Sequence, residues 1–100
     1  MNIFMRTPEF DVWLKSLRDV VAKARVLSRI RSAEAGNFGD CESVGDGVVE
    51  MRIHTGPGFR VYFCRQGKVV YLLLCGGDKS SQRKDILAAE KIKKRLEELL

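Results

Sequence analysis

The sequence predicts an α+β fold, a small antiparallel-rich sheet with its elements in the order β-α-α-β-β-β-α. Three observations carry that prediction. Two helix-period stretches, opened by Thr7-Pro8 and by Asp19, occupy the first third of the chain. Three strand-like stretches follow between residues 47 and 75, separated by glycine-bearing turns. A last stretch, 81–99, spaces Ile86, Ala89, Ile92, Leu96 and Leu99 along one helix face. With 100 residues, 45% hydrophobic and 31% charged, the chain reads as a single domain, 1–100, able to build a modest core without metal or disulfide.

Each element has its own local signal. "MNIFMR" is a short strand candidate that stops at Thr7-Pro8. Thr7 suits an N-cap and Pro8 the first helical position, so a helix is expected through about Leu17, with Phe10, Trp13, Leu14 and Leu17 as its apolar stripe. Asp19 can cap a second helix over about residues 20–35, with Val20, Ala24, Leu27 and Ile30 facing inward and Gly36 ending it. One long kinked helix is the alternative. "GNFGDCESVGDG", 36–47, has turn composition and is expected to be an irregular loop. Strands are expected at 47–54, 59–65 and 68–75, the last two joined tightly at Gln66-Gly67. "VVYLLLC" is apolar on both faces, as a central strand should be. The helices are expected against one face of the sheet.

The hairpin "EMRIHTGPGFRVYF", 50–63, is where chemistry enters. Alternation puts Val49, Met51 and Ile53 on one face with Phe59, Val61 and Phe63, and leaves Arg52, His54, Arg60 and Tyr62 on the other. If His54 lies opposite Arg60, and Arg52 opposite Tyr62, "TGPGF" becomes a five-residue connection whose glycines permit the turn. "CGGDKSSQ" should return to the same end of the sheet, so that His54, Arg60 and Lys79 converge. Three cationic or protonatable groups around one point suit a strong anion, and a phosphodiester fits. Each residue also has a plainer reading. Arg60 could pair with Glu50 or Asp78 on a solvated face, His54 could cap a carbonyl, and Lys79 could be an ordinary loop lysine.

Charge and cysteine usage narrow the class. The formal charge of +5 and pI near 9.4 favour an anionic partner. Six basic residues lie in 15–31 and seven in 50–84, divided by residues 34–46, which hold no Lys or Arg. Cys41, Cys64 and Cys75 are odd in number and lack Cys-x-x-Cys spacing, so reduced cytoplasmic thiols and no metal site are expected. No apolar run has the length of a signal peptide or membrane span, so no membrane association is expected.

The segments "FDVWLKSL", "ARVLSRIRSAEAGNFGD", "VGDGVVEMRIHTGPGFRVYF" and "LLLCGGDKSSQRKDILAAEKI" resemble the RelE/ParE toxin superfamily, and most closely its HigB-like addiction-module killer proteins. The resemblance covers nearly the whole chain. It implies a cytoplasmic toxin of a type II toxin–antitoxin module that cleaves mRNA on the ribosome without cofactor, by attack of the RNA's own 2′-hydroxyl. Its partner would be a cognate antitoxin, a helix-turn-helix protein, and operator DNA would be reached only through that antitoxin. Arg60 matches the family arginine of the Gly-aromatic-Arg motif, and Lys79 lies close to its post-strand basic residue. Arg52 falls on a position usually held by Lys or Arg. Tyr62, Arg83 and Lys84 are expected, with Arg52, to bind RNA or phosphate. The family tyrosine near the start of the last helix is missing from "KDILAAE", so His54 is expected to carry the proton. That departure leaves two alternatives, a ParE-like inhibitor of DNA gyrase without nuclease activity and a catalytically weak antitoxin-binding co-repressor.

Overall fold

The computed structural model describes residues 1–99. The chain runs β1 (Ile3–Arg6), α1 (Pro8–Ser16), α2 (Val20–Glu34), β2 (Cys41–Gly45), β3 (Val48–Ile53), β4 (Phe59–Arg65), β5 (Val70–Gly77), a 3-10 turn (Lys79–Ser81) and α3 (Gln82–Leu99). The five strands form one sheet in the order β1-β5-β4-β3-β2, antiparallel except where β1 runs parallel to β5. The fold is α+β as expected. No helix among the described residues is long and apolar enough to cross a membrane.

The chain start is fixed by polar contacts as much as by packing. Thr7 caps α1 by accepting from Phe10 N (3.1 Å), a contact worth about 1 kcal/mol at helix starts. Its single hydroxyl proton is shared between the carbonyls of Leu73 (2.9 Å) and Leu74 (2.8 Å), which locks the cap to β5. Asp19 caps α2 through Val21 N and Ala22 N, so the two helices are separate.

Four expectations need correction. The segment 36–47 holds a strand, β2, paired with β3. Its turn is Asp46-Gly47, both at positive φ, the geometry that a two-residue hairpin selects Asp-Gly for. The strand after Gln66-Gly67 begins at Val70, not at 68, because Gln66 N and Gly67 N both donate to Val70 O and close a four-residue loop. In α2 the buried face is Ala22, Val26, Ile30 and Ala33 with Leu27 packed beside it, while Val20 and Ala24 are exposed; the phase is shifted because the small Ala22 and Ala33 are fully buried near the two helix ends. Finally, the helices cover both faces of the sheet. Phe10, Leu14, Val26 and Ile30 pack on Met51, Val61, Phe63 and Leu73 on one side. Ala89 and Ile92 of α3 pack on Val48, Tyr62, Cys64 and Leu74 on the other.

That last correction changes the environment of the hairpin. The face that alternation marks as polar lies partly beneath α3, and both Glu50 and Tyr62 are fully buried there. β5 ends in Gly76-Gly77, paired with Val61 and Arg60 of β4. A methyl at Gly76 would overlap the Trp13 ring, and one at Gly77 would overlap the Asp85 carboxylate. The two glycines therefore let α1 and α3 approach the same strand end from opposite sides.

Candidate functional site

The β3–β4 ladder pairs Arg52 with Arg60, Glu50 with Tyr62 and Ile53 with Phe59. The expected pairs, His54 with Arg60 and Arg52 with Tyr62, are displaced by two residues in register. A shift of two keeps every side chain on its own face, so alternation alone does not distinguish the two registers. The connection is still five residues long, but it is His54–Gly58 rather than 55–59. Gly56 and Gly58 take positive φ within it, and Gly58 N donates to Thr55 O (3.0 Å).

This loop, Arg60 and Lys79 border an open depression of about 570 Å³. The Arg60 guanidinium folds back beneath the loop, where Nη1 donates to Gly58 O (2.7 Å). Lys79, first residue of the 3-10 turn, is exposed and comes against the same side of Gly58 as Arg60. Asp78 holds that turn by accepting from Ser80 N (2.8 Å), and these contacts with Ser80 lower its carboxyl pKa. His54 stands at the rim, 75% exposed. Its Nε2 lies 2.6 Å from Asp40 Oδ2, and this contact holds the Asp40 carboxyl below its ordinary value. Arg60, Lys79, His54 and Arg52 thus border one depression.

The four are not equivalent in charge. Arg52 is engaged by three carboxylates, Glu50 through Nε (3.1 Å), Asp40 (3.5 Å) and Glu42. Its positive charge is largely matched within the chain. Arg60 has one carboxylate at the edge of ion-pair distance, Glu50 Oε2 at 3.5 Å from its Nε. Lys79 has no carboxylate within 4.0 Å among the described residues. Unmatched cationic character is therefore concentrated at Arg60 and Lys79.

Three expected phosphate-binding residues are placed elsewhere. Tyr62 is fully buried and donates its hydroxyl to Glu50 Oε2 (3.0 Å). Burial and the adjacent carboxylate push its pKa up, so it stays a neutral donor with no surface for RNA. Arg83 and Lys84 are exposed on the first turns of α3 beside Leu87, outside the depression. His54 contacts a carboxylate, not the carbonyl of its plainer reading.

Several participants carry no obvious signal in the sequence. Glu50 reads as an ordinary strand acid, yet it is the polar centre under the depression. Gln82 at the start of α3 donates to its Oε2 (2.8 Å). Arg29, one of the six basic residues in 15–31, reaches the carbonyls of Arg52, Phe38 and Asp40 and fastens the segment that carries Asp40. The nearest sequence signal for Glu50 was its place on the alternating face with Arg52 and Tyr62.

Comparison with known proteins adds two findings. Residues 12–97 match the family model described as phage derived protein Gp49-like (DUF891). A Haemophilus influenzae protein described as uncharacterized is 50% identical over 91 residues, which cover 90% of this chain and 92% of that protein.

Proposed function

This chain belongs to the Gp49-like family, a toxin-like family of addiction modules, and from that premise we propose that it is a type II toxin of the RelE/ParE, HigB-like kind that cleaves mRNA on the ribosome. The observation that carries the reading is the placement of Arg60 and Lys79 side by side against Gly58, with little internal charge to match them. A phosphodiester crossing the loop would meet both cations. Its developing negative charge is what preorganised donors stabilise most.

The reaction needs no external nucleophile. The 2′-oxygen bonds to phosphorus as the bond from phosphorus to the 5′-oxygen breaks. One proton leaves the 2′-hydroxyl and one reaches the departing oxygen. His54 is the residue best placed to carry a proton, with Asp40 orienting its ring through Nε2 and leaving Nδ1 for the substrate. The family implies an antitoxin partner; mRNA on the ribosome is the proposed target.

Primer extension on translating ribosomes, with and without the protein, tests the reading. Cuts placed in register with codons are expected. DNA damage without RNA cuts would favour the gyrase-directed alternative, and neither effect would favour the co-repressor.

A further inference from the structure

Glu50 is fully buried, and its neighbours come from three elements. Arg52 Nε of β3 donates to Oε1 (3.1 Å), while Tyr62 of β4 (3.0 Å) and Gln82 of α3 (2.8 Å) donate to Oε2. Arg60 Nε, also of β4, faces Oε2 at 3.5 Å and is buried without a hydrogen bond. Such an arrangement is costly to build. Replacing a buried ionic group with a well-packed apolar one is often neutral or stabilising. A valine at 50 facing a phenylalanine at 62 would fill this layer more simply. The polar set therefore calls for an explanation other than packing.

We propose that Glu50 is the positioning residue of the site, a buried counter-ion that aims Arg60 at the phosphate. Tyr62 and Gln82 occupy Oε2 and stop the carboxylate from turning. The carboxylate in turn holds the Nε edge of Arg60, while Gly58 O holds Nη1. No other hydrogen bond engages that guanidinium among the described residues. Its remaining donors are left for a ligand in the depression. Gln82 follows directly on the 3-10 turn bearing Lys79, so the same carboxylate also fixes where the second cation stands. The catalytic consequence rests on the nuclease reading; the orientation of Arg60 does not.

Glu50→Gln keeps the side-chain shape and removes the charge. Single-turnover cleavage of ribosome-bound mRNA is expected to fall about 10²–10³-fold, the usual loss for one preorganised donor, with ribosome affinity nearly unchanged. Arginine-selective ¹⁵N spectra of the protein alone provide the independent readout. Wild-type Arg60 should show two resolved Nη resonances, which collapse to one in Glu50→Gln as the guanidinium begins to rotate. Arg52 should stay resolved, because Asp40 and Glu42 still hold it. Glu50→Gln/Gln82→Glu returns a carboxylate across the existing hydrogen bond and should restore the Arg60 splitting and about tenfold of the lost rate. If Glu50→Gln alone does not fold, the double variant carries the test through the same two readouts. Unchanged Arg60 resonances in folded Glu50→Gln, or a double variant with no recovery, overturn the proposal. If the wild type cuts no RNA, the nuclease reading fails, and the Arg60 spectra alone support or overturn the role of Glu50.

Discussion

Arg52 and Arg60 stand directly opposite each other across the β3–β4 ladder, two like charges on neighbouring strands. Such pairs are destabilising on their own. Here each is brought to a different edge of the one buried carboxylate, Glu50, through 3.1 Å and 3.5 Å contacts. The two arginines then part in role. Arg52 also joins Asp40 and Glu42 and ties β2 to the hairpin, whereas Arg60 faces the depression.

Arg60→Ala should abolish growth inhibition on induced expression. The arginine is not the freely solvated residue that alternation suggests, since its side chain is 12% exposed and stands over Glu50. Truncation should therefore also cost about 1–3 kcal/mol of stability, read as a lower midpoint in a circular dichroism melt. A folded variant as toxic as wild type would remove Arg60 from the site.

His54→Gln should slow single-turnover cleavage by ~10²–10⁴-fold, the usual contribution of positioned proton transfer, without loss of ribosome binding. At 75% exposure, the side chain has little packing to lose, so the melt should barely move. A rate within about tenfold of wild type would leave His54 as a rim residue only.

The Asp40 contacts make a prediction about acid stability. Its carboxyl pKa is lowered below 3.8, chiefly by the hydrogen bond from His54. A depressed folded value stabilises the fold above the unfolded value, and that contribution is lost as pH falls through the folded one. Wild type should thus melt above Asp40→Asn near neutrality, and the gap should close in acid below 3.8. A gap that persists unchanged in strong acid would show that ionisation of Asp40 is not its source.

Gly76→Ala should destabilise by about 1–3 kcal/mol, because the new methyl enters the space of the Trp13 ring and α1 must shift. Since this is the chain's single tryptophan, the displacement should also appear as a changed emission maximum in the folded state. Wild-type stability and emission would mean that α1 is not seated against β5 as described.

Burial pushes the Cys75 thiol up to about 12 and raises Cys41 and Cys64 as well. A disulfide reagent at neutral pH should label the native protein slowly, Cys41 first because it is the least buried of the three. All three should react promptly in denaturant. Rapid labelling of Cys75 in the native state would contradict its place beneath α3.

What could be read from the sequence was whatever depends on neighbours in the chain. Thr7-Pro8 and Asp19 marked two helix starts, and the spacing of Phe10 and Leu14, or of Ala89 and Ile92, gave the buried faces of α1 and α3. What was missed depends on partners that apolar patterning does not mark, near in sequence for the strand joined to β3 by Asp46-Gly47 and far for the rest. The strand Cys41–Gly45 has too little apolar contrast to stand out, since its evidence is the pairing with β3. The inward face of α2 includes Ala22 and Ala33, whose small side chains carry weak periodic signal beside Val20 and Leu27. At the site, Arg60 and Lys79 were legible as cations near a glycine turn. Glu50 was not, because only the pairing with Tyr62 and the arrival of Gln82 from α3 turn a strand acid into a buried one.

The parallel pairing of β1 with β5 bears on the order in which a growing chain can fold. Thr7 reaches the Leu73 carbonyl across 66 residues of sequence. Synthesis delivers β1 first, yet its partner residues, Val70 to Leu73, lie in the last third of the chain. Contacts of such separation form late, once the loop between them has been closed. The depression has the same dependence, since His54 and Arg60 come from the hairpin while Lys79 follows β5. A nascent chain therefore carries neither a complete sheet nor a complete site until most of the protein has left the machinery that makes it.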